Sequence, residues 1–207
     1  MAGQSSEVTV VDRYLAQLFA LVSEALAQAT HALLAGEAAT GQAVIDRDAT
    51  VDALTAQVEE LVWAQIESTH DAGEPLRHLV GILLILPELE RSADLAEHIA
   101  QRAVFHLGPQ MSPLSRGIVQ RMAEVALEMW GTAANAYASR STEGLDLAED
   151  DEEIDILHER LTREIASERM PTAIAAQVTL LARFYERLGD HAVNLGRRIA
   201  SLPERRT

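Results

Sequence analysis

The stretch FYERLGDHAVNL, residues 184–195, places Glu186 and Asp190 four residues apart with Gly189 beside the second acid. Leu181, Leu188 and Leu195 recur around it at helical spacing. On a helix the two acids are stacked like charges, costing about 0.2–0.5 kcal/mol. Aspartate and glycine are also poor helix-interior residues. LERSADLAEHIA, residues 89–100, repeats the arrangement 96 positions earlier with Glu90 and Asp94. Arg91/Arg187, Ala96/Ala192 and Arg102/Arg198 match at the same offset. A costly local pattern that occurs twice points to an internal duplication.

Apolar periodicity outward from these segments predicts six helices, at about 8–34, 42–68, 76–104, 113–139, 142–167 and 171–200. Residues outside these spans are expected to fray. Gly36 and Gly41 read as the break after the first helix, and Pro87 as a kink in the third. The strongest break is HLGPQMSP, 106–113, where Ser112 is an N-cap candidate and Pro113 occupies the first helical position. It divides the chain into 1–107 and 108–207. The expected fold is all-α, two tandem three-helix bundles.

Composition agrees. The chain has 207 residues, 48% hydrophobic and only 4% aromatic, so its core must be built largely from Ala, Leu, Val and Ile. A formal charge of −15, with no basic stripe, argues against nucleic-acid binding. All seventeen basic residues are arginine, and cysteine is absent, which removes disulfides, thiol nucleophiles and Cys-ligated metals. The N-terminus lacks the pattern of a signal peptide, and the longest apolar run, 79–86, is too short to span a bilayer. A soluble, cytoplasmic protein is expected.

The second helix of each half carries a further acid pair, Asp48/Asp52 and Asp151/Asp155, at an offset of 103. Seven extra residues in the first half's hairpin are close to two helical turns, which preserves facing. Single pairs mean little, because ten pairs of acids lie four apart, including Glu67/Asp71, Glu124/Glu128 and Glu164/Glu168. What counts is that four pairs fall at matching places. Asp48 and Asp52, with Glu59, flank the Val44/Val51/Val58 stripe, and Glu186 and Asp190 lie outside the Leu181/Leu188/Leu195 seam. Antiparallel neighbours would gather four carboxylates at a helix–helix groove, and such a group stays charged only with a cation. Oxygen-rich sites suit Mg, Ca, Mn or Fe, with Zn also considered. A solvated acidic face is the plainer alternative.

These residues resemble the PhoU family of phosphate-uptake regulators, whose members are tandem three-helix bundles with an acidic E/D-x-x-x-D motif in each repeat. The resemblance spans nearly the whole chain. It implies Asp48, Asp52, Glu90 and Asp94 for a first multinuclear metal site, and Asp151, Asp155, Glu186 and Asp190 for a second. The first copy departs from the pattern: Ser92-Ala93 replaces the apolar–glycine step, and Glu97-His98 stands where Val193-Asn194 stands in the second. The second copy is therefore the better match, with Glu97 or His98 available near the first site. The family further implies a non-enzymatic adaptor between the ATPase of the phosphate transporter and a sensor histidine kinase. It would damp the phosphate-starvation response, form a homodimer, and meet the membrane only through partners.

Other residues receive blander readings. His31, His78 and His106 are expected at the surface or at boundaries, whereas His158 and His191 could support the acids from behind. Arg91 and Arg187, each following a motif glutamate, read as salt-bridge partners, and Trp63 and Trp130 as packing residues. Glu67-x-x-His70 and Asp155-x-x-His158 suggest a ferritin-like di-iron bundle, but one lies at a helix end and the other replaces Glu by Asp. A carboxylate-bridged di-metal enzyme on the same bundles is the alternative to the adaptor. No nucleotide loop or nucleophilic triad is recognisable.

Overall fold

The computed structural model describes residues 2–69, 73–167 and 170–203, with side chains from Val10 onward. The helices are α1 (Ala2–Ala35), α2 (Ala38–Ser68), α3 (Glu74–Val104), α4 (Pro113–Ser139), α5 (Ala148–Ser167) and α6 (Thr172–Ala200). A short 3₁₀ turn, Gly108–Gln110, lies between α3 and α4, and no strand occurs among the described residues. His70, Asp71 and Glu168, members of pairs considered above, fall outside the described residues.

The connections follow local chemistry. Gly36, at φ +75°, ends α1, and the Glu37 amide bonds the Ala32 carbonyl at 2.9 Å in a Schellman closure. His106, at φ 54°, ends α3 the same way, with the Leu107 amide on the Arg102 carbonyl at 3.0 Å. The Ser115 amide donates to Ser112 Oγ at 3.1 Å, which makes Ser112 the expected N-cap with Pro113 behind it.

Two expectations change. Gly41 lies inside α2 rather than breaking the chain; a Cβ there would stand 3.0 Å from the Ala100 carbonyl, so it serves close α2–α3 approach. The fifth helix starts at Ala148 instead of 142. Gly144, at φ +76°, takes the chain out of helical geometry, and the Ala148 amide then donates to Asp146 Oδ1 at 3.1 Å. Pro87 lies inside α3, which runs from Glu74 to Val104.

Helices α1–α3 pack on one another, as do α4–α6, and the two sets join through α1 against α4 and α3 against α6. The Val44/Val51/Val58 and Leu181/Leu188/Leu195 stripes are buried as the periodicity implies. The core is continuous across both sets. At its centre Phe19 of α1 stacks on Tyr137 of α4, ring centroids 5.5 Å apart. Trp130 Nε1 donates to the Leu188 carbonyl at 3.3 Å, and Thr30 Oγ1 lies 2.7 Å from the Tyr185 hydroxyl. Ser92 meets His191 while His98 stacks on Phe184, so α3 and α6 run antiparallel. The span Val10–Ala35 of α1, interrupted by polar residues and so not an unbroken apolar run, is long and apolar enough to cross a membrane by length and composition. Its apolar stripe, from Val11 through Leu33, forms part of the core.

Candidate metal centre

In the first repeat, α2 supplies Asp48 and Asp52 and α3 supplies Asp94, each offering an oxygen such that all three lie within 4.8 Å of one another. Asp52 and Asp94 are exposed and Asp48 half-buried. Burial, then the charges of Asp52, Glu97, Asp94 and Glu90, push the Asp48 carboxyl up to about 6. Burial and the charge of Asp52 also raise Asp94, with His98 opposing and Glu97 adding to the rise. Glu97, from the drifted part of the first motif, thus belongs to this field. Glu90 acts on Asp48 but lies outside the close trio. A groove of about 370 Å³, floored by Val44, Val51 and Ala93, opens beside Asp48.

The second repeat keeps the same antiparallel facing with a looser gathering of oxygens. Burial raises Asp151, helped by Asp155 and Asp190 and opposed by Arg197. Glu186 is raised by burial, with Arg183 and His158 opposing and Asp190 and Asp155 adding. Glu186 Oε1 pairs with Arg183, whereas its buried Oε2 has no hydrogen-bond partner among the described residues. Asp151, Asp155, Glu186 and Asp190 are therefore neighbours. Among the described residues, however, only the first-repeat trio brings three ligand atoms within 4.8 Å. The better-matching motif carries the more open arrangement.

Hard-oxygen donors at this separation fit a divalent or iron cation, which would offset the mutual repulsion that raises Asp48 and Asp94. Glu186 Oε2 fits as an additional ligand, since a buried carboxylate oxygen needs a partner. A carboxylate trio exposed on a helix surface differs from the water-restricted pocket of a metalloenzyme.

Several flanking residues differ from their sequence reading. His191 is 7% exposed, and its Nδ1 lies 2.8 Å from Ser92 Oγ across the repeat boundary. Burial and then the charges of Arg187 and Arg91 hold its pKa down to about 4. It is an inter-repeat core residue, whereas His158 does lie within the field of Glu186. Arg91 and Arg187 are exposed and form no ion pair among the described residues, against the expectation of salt bridges. Trp130 is fully buried, but Trp63 is 50% exposed. His31 and His106 lie at the surface, whereas His78 is buried with its Nε2 3.1 Å from Asp12 Oδ1. Arg140 and Tyr137 join Asp12, whose carboxyl falls to about 2: burial opposes the shift, and bonds from His78 and Tyr137 with the Arg140 charge outweigh it. Asp12 lies on α1 and its partners on α3 and at the end of α4, so no local spacing announces them.

The family model described as PhoU domain matches residues 15–103 and again 119–199. The chain belongs to the PhoU family. It is 31% identical to a phosphate-specific transport system accessory protein PhoU homolog of Rhizobium meliloti (strain 1021), across 96% of this chain and 86% of that protein. It is 30% identical to PhoU homolog 1 of Mycobacterium bovis (strain ATCC BAA-935 / AF2122/97), across 89% and 86%. The crystal structure of PhoU from Pseudomonas aeruginosa superimposes with a TM-score of 0.89 at 23% identity, covering 96% of this chain and 97% of that one. This last likeness supports the PhoU fold, two helical repeats.

Proposed function

We propose that the protein is a metal-binding accessory regulator of phosphate uptake, a cytoplasmic adaptor between the transporter ATPase and a sensor histidine kinase. It holds divalent or iron cations at surface carboxylates and damps the starvation response when phosphate is plentiful. It works without catalysis, as a homodimer. Relatives named as accessory proteins of the phosphate-specific transport system support the regulatory role. The observation carrying the metal reading is the trio Asp48, Asp52 and Asp94, whose ligand atoms converge on an exposed helix surface.

The test has two arms. Purified protein is analysed for metals and melted before and after exhaustive chelation; bound Fe, Mn, Mg, Zn or Ca and a lower melting temperature on chelation are expected. Unchanged melting with no metal found would sink the metal half. In the second arm, a pull-down from phosphate-replete cells should recover the transporter ATPase or the sensor kinase. Recovery of neither, under conditions that preserve weak complexes, would count against the adaptor role.

A further inference from the structure

The contact between α3 and α6 relates the two repeats, and its two ends are not alike. At one end Arg198 Nη2 of α6 lies 3.8 Å from Glu88 Oε1 of α3. A shift of 96 residues exchanges this pair for Arg102 of α3 and Phe184 of α6. Those two also meet, with the Arg102 guanidinium carbon 4.8 Å from the centre of the Phe184 ring. The second end keeps the arginine but has a ring where the first has a carboxylate.

Arg102 is left half-buried with no ion pair among the described residues. Its Nη1 donates to the His98 carbonyl at 3.0 Å and to Gln101 Oε1 at 3.3 Å, while Nε is buried without a partner among the described residues. Arg198 Nε is unpartnered in the same way, so the ends differ in the carboxylate alone. A ring face attracts a cation but accepts none of its N–H bonds in the bidentate manner of a carboxylate. The end that lacks the acid departs from its counterpart at a second place. Phe105, the C-cap of α3 and one turn beyond Arg102, is 75% exposed, and Ser201 is its equivalent in the other repeat. Leu180, exposed one turn before Phe184, stands level with Arg102 and Phe105 because the helices are antiparallel.

We propose that Arg102, Phe105 and Leu180 form a docking surface for an acidic, apolar segment of a partner protein. A glutamate or aspartate of that segment pairs with Arg102 as Glu88 pairs with Arg198, and a neighbouring apolar side chain covers Phe105 and Leu180. The chain's net charge of −15 opposes an acidic partner at a distance, but salt screens that field over about 8 Å, so the contact pair decides. An acid at position 184 would close this end permanently; an acid from outside makes the contact reversible. The surface deepens the adaptor reading by giving it a contact of stated chemistry.

Panning of random phage-displayed peptides on the purified full chain tests the surface with no transporter or kinase present, so it can fail while the regulatory reading stands, and the reverse. Enriched sequences are expected to share an acid flanked by leucine, isoleucine or phenylalanine. In calorimetric titration with the most enriched peptide, replacing its acid by the amide should weaken binding at least tenfold, and so should Arg102→Gln. Phe105→Ser, which installs the residue of the other end, should lose at least fivefold with unchanged circular dichroism, since the ring is exposed. Phe184→Glu, which supplies the acid internally, should abolish binding. Arg91→Gln, at an exposed arginine on the same helix, should leave affinity within about twofold. The proposal is overturned if no acidic motif is enriched, or if affinity survives Arg102→Gln. It is also overturned if Phe105→Ser abolishes self-association in sedimentation, or binding to phosphatidylglycerol vesicles, while peptide affinity is unchanged. Those outcomes assign the surface to a second copy or to a lipid surface.

Discussion

Asp48 condenses the chemistry of the carboxylate face into one side chain. Its folded pKa of about 6 exceeds the ordinary 3.8, so the folded chain holds this proton more tightly than the unfolded one. The group therefore contributes stability below about pH 4, and that contribution is lost as pH rises through about 6. Chelated protein should show a falling melting temperature across this window, from Asp48 and, in the same direction, Asp94, Asp151 and Glu186. Asp48→Asn should melt higher at pH 7 than the parent and show a shallower slope; an unchanged slope would remove Asp48 from the repulsive set. Asp12 has the opposite sign: its folded pKa of about 2 gives stability that is present above about pH 4 and lost as pH falls through 2. The acid pairs were legible because duplication marked them. The unpaired state of Arg91 and Arg187 was not, because adjacency along the chain says nothing about which way neighbouring helical side chains point.

At the scale of elements, glycine has different meanings at different places. Gly108, in the turn between α3 and α4, would direct a Cβ to 1.8 Å from the Leu33 carbonyl oxygen and 2.9 Å from its carbon. Backbone cannot rotate aside as a side chain does, so Gly108→Ala should cost about 1–3 kcal/mol in chemical denaturation. Gly117, exposed within α4, has nothing within 4 Å of its Cβ position. Gly117→Ala should instead add about 0.5–1 kcal/mol. Gly189 explains the glycine of the second motif: its Cβ position lies 3.0 Å from Ile154 Cδ1 and 3.5 Å from Asp151 Oδ1, so its bareness lets α5 and α6 close beside the acids. Helix number and most helix ends followed from periodicity and capping residues. The start of α5 did not, because an acidic, leucine-containing approach at 142–147 looks helical until the positive φ of Gly144 is known.

For the whole molecule, the continuous core predicts that the repeats unfold together. Trp130, fully buried in the second repeat against Phe19 of the first, reports on the repeat boundary, while Trp63 is half exposed. In Trp63→Phe protein, Trp130 fluorescence and far-ultraviolet circular dichroism should give coincident melting curves. Separated curves would mean that the three-helix sets are independent. Trp130→Ala should lower stability by about 3–5 kcal/mol, measured by chemical denaturation.

The sequence by itself determined the helical class and the duplication and singled out the paired acids, since these depend on periodicity and on residues repeated at fixed offsets. Tertiary structure alone decided how those residues meet. It drew Asp48, Asp52 and Asp94 into one trio in the first repeat while leaving the better-matching second set more open. It also joined Ser92 to His191 and Asp12 to Arg140, contacts across 99 and 128 residues of chain. Local pattern fixes which face of a helix is apolar. The distance between two oxygens or the partner of a buried histidine depends on how whole helices settle against each other, a property of the packed core rather than of any segment.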